Sequence, residues 1–542
     1  MKRTDLPAPP LPPGRPNVVL TGFMGTGKST SGPLAADLLG MPYVDLDRRQ
    51  ERIAGMQIAR IFDELGEPAF RDIESRALVE AALLSGTVIA SGGGAAPLHP
   101  KEYANLAEGN VPVVLTSTPE AIERRVGDAA DRPLLTSSPG EQIRALLAER
   151  AEAYAAAGES LDTTDVPSET TAEEIAALYR KRVPDERTII EVAAGHGPVM
   201  IGEGGLAVCG PEIASRVPDA RTAALVSDPN AGQTADAVAG SIAAAGLEVS
   251  RISLPPGEGA KTLTALGDLL TALREHHVEP TDVVVSVGGG ATLDAGGFAA
   301  ATYARGIALV NVPTTLLAMV DASLGGKVAI DHAGAKNLVG SFHPPALVIA
   351  DPEALSSLPE RDLRTGLAEI VKAAVLASPF LLDFLDTEDA TARLEWLVEQ
   401  AVRIKAGYVA ADPRDRGVRR SLNLGHTFAH ALESTTDYGI SHGEAVSIGL
   451  VAAARLGAEH GVTDPGTAER LRSILDALGL PVEPASGLDP DAVVEAMGAD
   501  KKRRSGSAVF VVPTPGGAAL LEGIDPRDAA SFLAPSEAGK RS

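Results

Sequence analysis

Two stretches of this chain have residue types and spacings suited to chemistry. The first is Gly22-Phe23-Met24-Gly25-Thr26-Gly27-Lys28-Ser29, a complete phosphate-loop pattern. Its glycines let backbone N–H groups turn inward around an anion. Lys28 is placed for β- and γ-phosphates and Ser29 for Mg²⁺, so the chemistry is phosphoryl transfer from ATP-Mg. Gly25, Thr26, Gly27, Lys28, Ser29 and Thr30 are the candidate nucleotide contacts. The second stretch gathers imidazoles and a carboxylate. His426 and His430 lie one turn apart on a helix face, His442 follows after a turn, and Glu369 sits in an apolar helical run. Two His and one carboxylate suit Zn²⁺ with an open coordination position. Three of the ten His fall within seventeen positions, which favours a metal over histidines packed in a polar core. Which imidazoles ligate stays open on spacing alone.

Further cations stand nearby in sequence. Arg305, Lys327, Lys336 and Lys372 fall in Gly-rich or apolar surroundings, where a solvated charge is unexpected. Buried cations want anionic partners, which a substrate phosphate and carboxylate would supply. Gly288-Gly289-Gly290 follows the apolar run Val283 to Val287 and opens a Gly/Ala-rich helix containing Asp294. A turn of that kind suits a pyrophosphate.

The elements that must hold these residues are legible as an alternation. Val18 to Leu20 reads as a buried strand feeding the phosphate loop, with a helical pattern from Ser29 to Leu39. Short strands at Tyr43-Val44, Val88 to Ala90 and Val113 to Leu115 alternate with helical patterns, which predicts a parallel sheet covered by helices. A charged, Pro-containing stretch around Arg180 to Arg187 separates this from new strands at 188–192, 223–226, 283–287 and 309–310. From about Pro352 the pattern is mainly helical until Ala508 to Val512. The expected organisation is a disordered Pro-rich tail over 1–16, a phosphate-loop domain over 17–180 and a linker over 181–187. An α/β nucleotide-binding part over 188–351, a helical part over 352–534 and a tail over 535–542 complete it.

Bulk properties narrow the function. A chain of 542 residues is too long for one ordinary core. A net charge of −24 disfavours nucleic acid and anionic membrane as partners. The single cysteine, Cys209, excludes an internal disulfide and a Cys-based zinc site. The N-terminus lacks the apolar core of a secretory signal, and no apolar run is long enough to span a bilayer. The cytoplasm is the expected compartment.

The phosphate loop, Tyr43-Val44-Asp45-Leu46-Asp47, Gly66-Glu67-Pro68-Ala69-Phe70-Arg71, Gly92-Gly93-Gly94 and Asp131-Arg132-Pro133-Leu134-Leu135 together resemble the shikimate kinase family. The resemblance covers nearly all of residues 17–180. It implies that Asp47 binds substrate hydroxyls and acts as or orients the base, with Asp45 near the Mg²⁺ shell. Arg71 and Arg150 would hold the shikimate carboxylate, Gly93 would let backbone approach the substrate, and Arg132 on a lid would face the ATP phosphates.

Gly288 to Asp294, Phe298 to Gly306, Pro313 to Lys327, Gly334 to Gly340 and Asn423 to His430 resemble the 3-dehydroquinate synthase family, over roughly residues 190–530. This implies a Rossmann-like α/β part followed by an α-helical part. Glu369, His426 and His442 would hold zinc or cobalt. NAD would contact Asp228, Glu258, Lys261, Gly290, Ala291, Thr292, Leu293, Asp294, Thr314, Thr315, Lys327 and Lys336. Arg305, Asp321, Lys327, Lys336, Asn337, Lys372, Lys405, Arg419, Asn423 and His430 would line the substrate pocket, with Lys327, Lys372 and His430 catalytic. A homodimer through the synthase part is implied as well. Pro255-Pro256 before Gly257 and Ala291-Thr292-Leu293 after the glycines depart from the commonest family form.

The implied reactions are shikimate plus ATP to shikimate 3-phosphate, and 3-deoxy-D-arabino-heptulosonate 7-phosphate to 3-dehydroquinate plus phosphate. In the second, NAD is used and regenerated in each turnover. Competing readings are another sugar-phosphate cyclase, a metal-dependent alcohol or glycerol dehydrogenase, a gluconate- or adenylate-type kinase, and a nucleotide-gated binding module. A neutral alcohol needs no lysine set, and no ligand or catalytic lysine that the resemblance requires is missing.

Overall fold

A computed structural model describes residues 1–126, 139–184, 187–192, 195–387, 389–436, 439–485, 487–503 and 508–533. The chain forms two compact units. Gly14–Glu186 make the smaller; Met1–Pro13 together with Arg187–Ser542 make the larger.

The smaller unit is built on five parallel strands in the order Tyr43–Asp45, Val88–Ala90, Val18–Thr21, Val111–Thr116, Glu159–Asp162. Its central strands are buried on both faces, so Val18, Val19 and Leu20 form an uninterrupted apolar run without alternation. Ala35 and Ala36 of helix Lys28–Leu38 and Ala172, Ile175 and Tyr179 of helix Ser168–Arg182 close one face over Val18, Leu20 and Val113. The strand order reverses beside Val18–Thr21. The crevice at its carboxyl end is therefore where an open α/β sheet receives ligands. Lys181 and Arg182, expected in a linker, extend the last turn of helix Ser168–Arg182, where basic side chains complement the helix dipole.

The larger unit begins with a seven-stranded sheet in the order Glu248–Ser253, Thr222–Ser227, Val283–Gly288, Ala308–Pro313, Leu347–Ala350, Val199–Ile201, Thr188–Ile190. All neighbours are parallel except the last pair. Val283 and Val285 face one apolar core, and Val284 faces the other. An antiparallel hairpin, Lys327–His332 with Ala335–Phe342, stands apart from this sheet. The helical part includes Glu360–Ala377, Leu394–Ala411, His426–Thr435 and His442–Glu459. Strands Val509–Thr514 and Gly517–Glu522 form a hairpin that follows them in the chain. Among the described residues no helix is long and apolar enough to cross a membrane.

The N-terminus corrects an expectation. Residues 1–16 read as a disordered tail, yet Lys2–Pro7 is a strand paired antiparallel with Gly517–Glu522 from Lys2↔Glu522 to Pro7↔Gly517. Leu6 is its one buried side chain. The strand owes its existence to a distant edge and so leaves no local periodicity in the sequence.

Candidate active sites

In the smaller unit the phosphate loop joins strand Val18–Thr21 to helix Lys28–Leu38. Gly22 has φ +133°, and a Cβ there would collide with the carbonyl oxygen of Leu115, so only glycine fits the start of the loop. Lys28 curls back over the loop, its Nζ donating to the carbonyls of Gly22 at 2.7 Å and Phe23 at 3.1 Å. Thr26 Oγ1 donates to the same Phe23 carbonyl at 2.7 Å. Gly27 caps the helix without a side-chain acceptor, leaving the positive helix end suited to an anion. Ser29 Oγ, followed by Thr30 in the helix, lies 3.4 Å from Asp45 Oδ2, a hydroxyl and a carboxylate disposed for Mg²⁺.

The substrate side converges on the turn at 92–94. Asp45 caps helix Leu46–Ala54 by accepting from Asp47 N at 3.0 Å, which fixes Asp47 in the first turn. A Cβ on Gly92 would lie 3.2 Å from Asp47 Oδ1, and one on Gly93 3.5 Å from Met24 N of the phosphate loop. Arg71, on helix Gly66–Ala81, donates to Glu74 Oε2 at 2.7 Å and to Glu67 Oε1 at 2.8 Å. Arg150 Nη1 and Tyr154 Oη, one turn apart, both reach the Gly93 carbonyl, at 3.4 and 2.6 Å. Arg150 Nε is buried without a hydrogen-bond partner, as a guanidinium awaiting an anion would be. Arg132 lies outside the described residues.

In the larger unit three helices present the metal candidates. Glu369 lies within Glu360–Ala377, while His426 and His442 open their own helices, His426–Thr435 and His442–Glu459. One ligand atom from each falls within 4.8 Å of the others. Glu369 Oε1 is 3.6 Å from Nε2 of both imidazoles, yet it is buried and accepts no hydrogen bond. His426 Nδ1 lies 3.0 Å from the Leu424 carbonyl, which settles Nδ1 as the donor and leaves Nε2 a lone pair toward the cluster. An orphaned carboxylate oxygen facing two imidazole nitrogens fits a divalent metal. His430 stands beside them, its ring centroid 5.5 Å from that of His426.

The dinucleotide candidate is the turn after strand Val283–Gly288. It opens helix Gly290–Thr302, which carries Ala291, Thr292, Leu293 and Asp294. Asp228 Oδ2 accepts from Thr292 Oγ1 at 2.7 Å in a buried contact. Thr314 N donates to the Gly288 carbonyl at 3.0 Å, and Thr315 Oγ1 caps Ala318 N at 3.1 Å. Lys261, beside Glu258, bridges Asp294 Oδ2 at 2.7 Å and the Asn337 side chain.

Comparison with known proteins decides the family. The shikimate kinase family matches residues 24–180. The 3-dehydroquinate synthase N-terminal and C-terminal families match 251–365 and 366–503. The 3-dehydroquinate synthase of Symbiobacterium thermophilum is 40% identical over 346 residues, 62% of this chain and 97% of its own. That of Mycolicibacterium gilvum is 45% identical over 343 residues, 61% of this chain and 92% of its own. The chain belongs to the 3-dehydroquinate synthase family and carries a shikimate kinase domain before the synthase domains. It is a shikimate kinase and a 3-dehydroquinate synthase of the shikimate pathway. The solved 2-epi-5-epi-valiolone synthase of Streptomyces hygroscopicus subsp. jinggangensis, with NAD⁺ and Zn²⁺ bound, matches 63% of this chain and 97% of its own at TM-score 0.57 and 26% identity.

Charge around the metal candidates is arranged in pairs. Lys372 holds the second oxygen of Glu369. Burial pushes the Glu369 carboxyl up, but Lys372 and His442 outweigh it and hold it down at about 2. Burial, with Lys372 behind it, drops His426 to about 3, so its imidazole is neutral and free to ligate. Burial also works against a charged His442, but Glu369 and Glu433 raise it to about 10, so the site favours a cation there and a metal held by His442 would take the place of that proton. Lys405 holds both the carboxylate and the carbonyl of Asp321. Arg419, buried, donates to the Gly325 carbonyl at 3.1 Å, and Asn423 closes the same short helix, Val418–Asn423.

Two cations expected to be buried, Lys327 and Arg305, are not. Lys327 is half exposed and paired with Asp415 at 2.6 Å, because it starts the hairpin strand instead of lying in the core. Arg305 is exposed at φ +70°. It lines a cleft of about 670 Å³ with His196, His343 and Pro344, and none of the other expected site residues lines that cleft. The Gly-rich surroundings that suggested burial are turn glycines.

Two residues were missed in the sequence. Glu433 lies 3.6 Å from His442 Nδ1 and 3.2 Å from Lys336 Nζ. Its place seven residues after His426, on the same helix face, was the available signal. Glu74 receives Arg71 and, at 3.0 Å, His99 Nε2 on one oxygen. Its i+3 spacing from Arg71 carried the same signal.

Proposed function

We propose that the kinase domain uses the loop at 22–29 to hold ATP and Asp47 to take the shikimate hydroxyl proton, with Arg71 and Arg150 on the carboxylate. Mg²⁺ beside Ser29 would neutralise phosphate charge. Positioning and charge stabilisation would do most of the work. Arg132 is part of this reading through the family resemblance alone.

In the synthase domains Glu369, His426 and His442 would hold Zn²⁺ or Co²⁺, which acidifies a coordinated hydroxyl. NAD on the 288–294 turn, with Asp228, Lys261, Thr314 and Thr315, would supply reversible hydride acceptance. Lys336, Asn337, Lys405, Arg419 and Asn423 would anchor phosphate and carboxylate. His430 and Lys372 would hold or move protons. Lys405 and Arg419 are buried cations, which suit a doubly anionic substrate and not a neutral alcohol. The cytoplasm, a homodimer through the synthase part and domain limits near 17–180 and 188–534 belong to the same reading.

The observation that carries it is Glu369 Oε1, buried, unbonded and aimed at two imidazole nitrogens. Each substrate is to be supplied separately to the purified protein. Phosphate release from the heptulosonate phosphate with NAD⁺ and Zn²⁺ but no ATP tests the synthase; shikimate-dependent ADP formation tests the kinase. His426→Ala is expected to abolish the first and spare the second. Equal loss of both counts against two independent sites.

A further inference from the structure

The chain enters the larger unit twice. Met1–Pro13 belong to it, Gly14–Glu186 form the kinase unit, and the chain returns at Arg187. The first pass makes two attachments. Lys2–Pro7 adds a third strand to the hairpin of Val509–Thr514 and Gly517–Glu522, and Ala8 N extends the pairing to the Gly516 carbonyl at 3.1 Å. The Pro-rich run then lies along helix Leu394–Ala411. Arg403 Nε donates to the Pro12 carbonyl at 3.0 Å. At Gly407 the approach is so close that a Cβ would lie 2.7 Å from the Pro10 carbonyl oxygen and 3.3 Å from Leu11 Cδ2.

Arg403 and Gly407 are one helical turn apart and share a face. Lys405, between them, is turned about 200° from Arg403 around the axis and reaches Asp321. The helix is therefore held between the N-terminal segment on one side and Asp321 on the other. A proline-rich segment suits this task. It is extended before docking, so little entropy is lost, and its carbonyls remain available as acceptors where its N–H groups are missing.

We infer that residues 1–13 are a clamp of the synthase, pressing helix Leu394–Ala411 from the face opposite Lys405 and thereby setting where the Lys405 ammonium stands in the substrate pocket. The segment acts through Lys405 and touches no substrate. The role of Lys405 rests on the function proposed above; the docking of the segment does not.

Four proteins test it: the intact chain, the chain lacking residues 1–13, Gly407→Ala, and the two changes combined. Loss of the segment is expected to lower synthase kcat on the order of a hundredfold, the cost of an ångström-scale misplacement, with ADP formation by the kinase unchanged. A peptide of residues 1–13 added in trans is expected to restore phosphate release. Gly407→Ala is expected to impair synthase and lower its melting temperature in the intact chain. In the shortened chain it is expected to be neutral or stabilising, because alanine is the better helix former once the Pro10 carbonyl is gone. Full synthase activity without residues 1–13, or an equal effect of Gly407→Ala in both backgrounds, overturns the clamp. If the intact chain releases no phosphate, the Lys405 role falls with the proposed function, while the melting temperatures of the four proteins still decide the docking.

Discussion

Lys372 lies one helical turn beyond Glu369 and binds its Oε2, which leaves Oε1 alone to face His426 and His442 at 3.6 Å each. Both members of the pair are buried. Removing the ammonium takes away the nearest countercharge of a buried carboxylate, which costs up to about 3–5 kcal/mol. Lys372→Met is expected to lower the melting temperature of chelator-treated protein. Added Zn²⁺ is expected to raise it more in the variant than in the parent, since the ion restores the missing charge. Equal zinc shifts in a thermal scan would remove Lys372 from this role.

Glu74 is the corresponding holder in the kinase. It is buried, and Arg71 and His99 converge on one of its oxygens. Burial raises its carboxyl, but His99 and Arg71 keep it below the ordinary range. Glu74→Gln removes the charge from both bonds and lets Arg71 turn toward Glu67. A charge-assisted hydrogen bond of about 1.5–3 kcal/mol predicts roughly a tenfold or greater rise in KM for shikimate. KM for ATP is expected to stay put, and steady-state kinetics with each substrate varied in turn reads the split.

How much of this was readable beforehand follows from how local each signal is. The phosphate loop and the Gly288–Gly290 turn sit at helix starts, so their placement follows from short-range pattern. Central strands such as Val283–Gly288 read as apolar runs for the same reason. Lys2–Pro7 did not, because its partner is Gly517–Glu522. The metal set Glu369, His426 and His442 comes from three separate helices, and spacing alone left open which imidazoles belong to it. The hairpin of Lys327–His332 and Ala335–Phe342 was missed because its glycines, small residues and mixed burial mask the alternation. Arg305 read as buried and is exposed, because sequence gives neighbours along the chain and not exposure across it.

Asp294 supplies a pH dependence. Burial pushes its carboxyl up to about 6, although Lys261 opposes the shift; Glu258 and Asp321 add to it. The native state therefore keeps a proton on Asp294 at pH values where the unfolded chain has released it. Stability from this group is full below the ordinary carboxylate range and is lost as pH rises through about 6, with a slope of up to about 1.4 kcal/mol per pH unit. Asp294→Asn is expected to flatten that part of the melting-temperature profile between the ordinary carboxylate range and pH 6. Parallel profiles for parent and variant would contradict the assignment.

Thr292 offers the sharpest probe of the cofactor turn. Its hydroxyl donates to Asp228 Oδ2 at 2.7 Å in a buried contact, while Asp228 Oδ1 accepts from Asn230 N at 2.8 Å. The carboxylate is thus fixed at both oxygens beside the glycine turn. Thr292→Val keeps the shape and deletes the donor, leaving a buried acceptor underpaired at about 1–3 kcal/mol. If Asp228 receives NAD, that loss appears as roughly a tenfold weaker NAD⁺ affinity by titration, with kinase activity untouched. Thr292→Ser, which keeps the hydroxyl and loses only a methyl, is expected to bind NAD⁺ nearly as the parent does. A serine variant as weak as the valine variant would trace the effect to packing and take Asp228 out of the cofactor site.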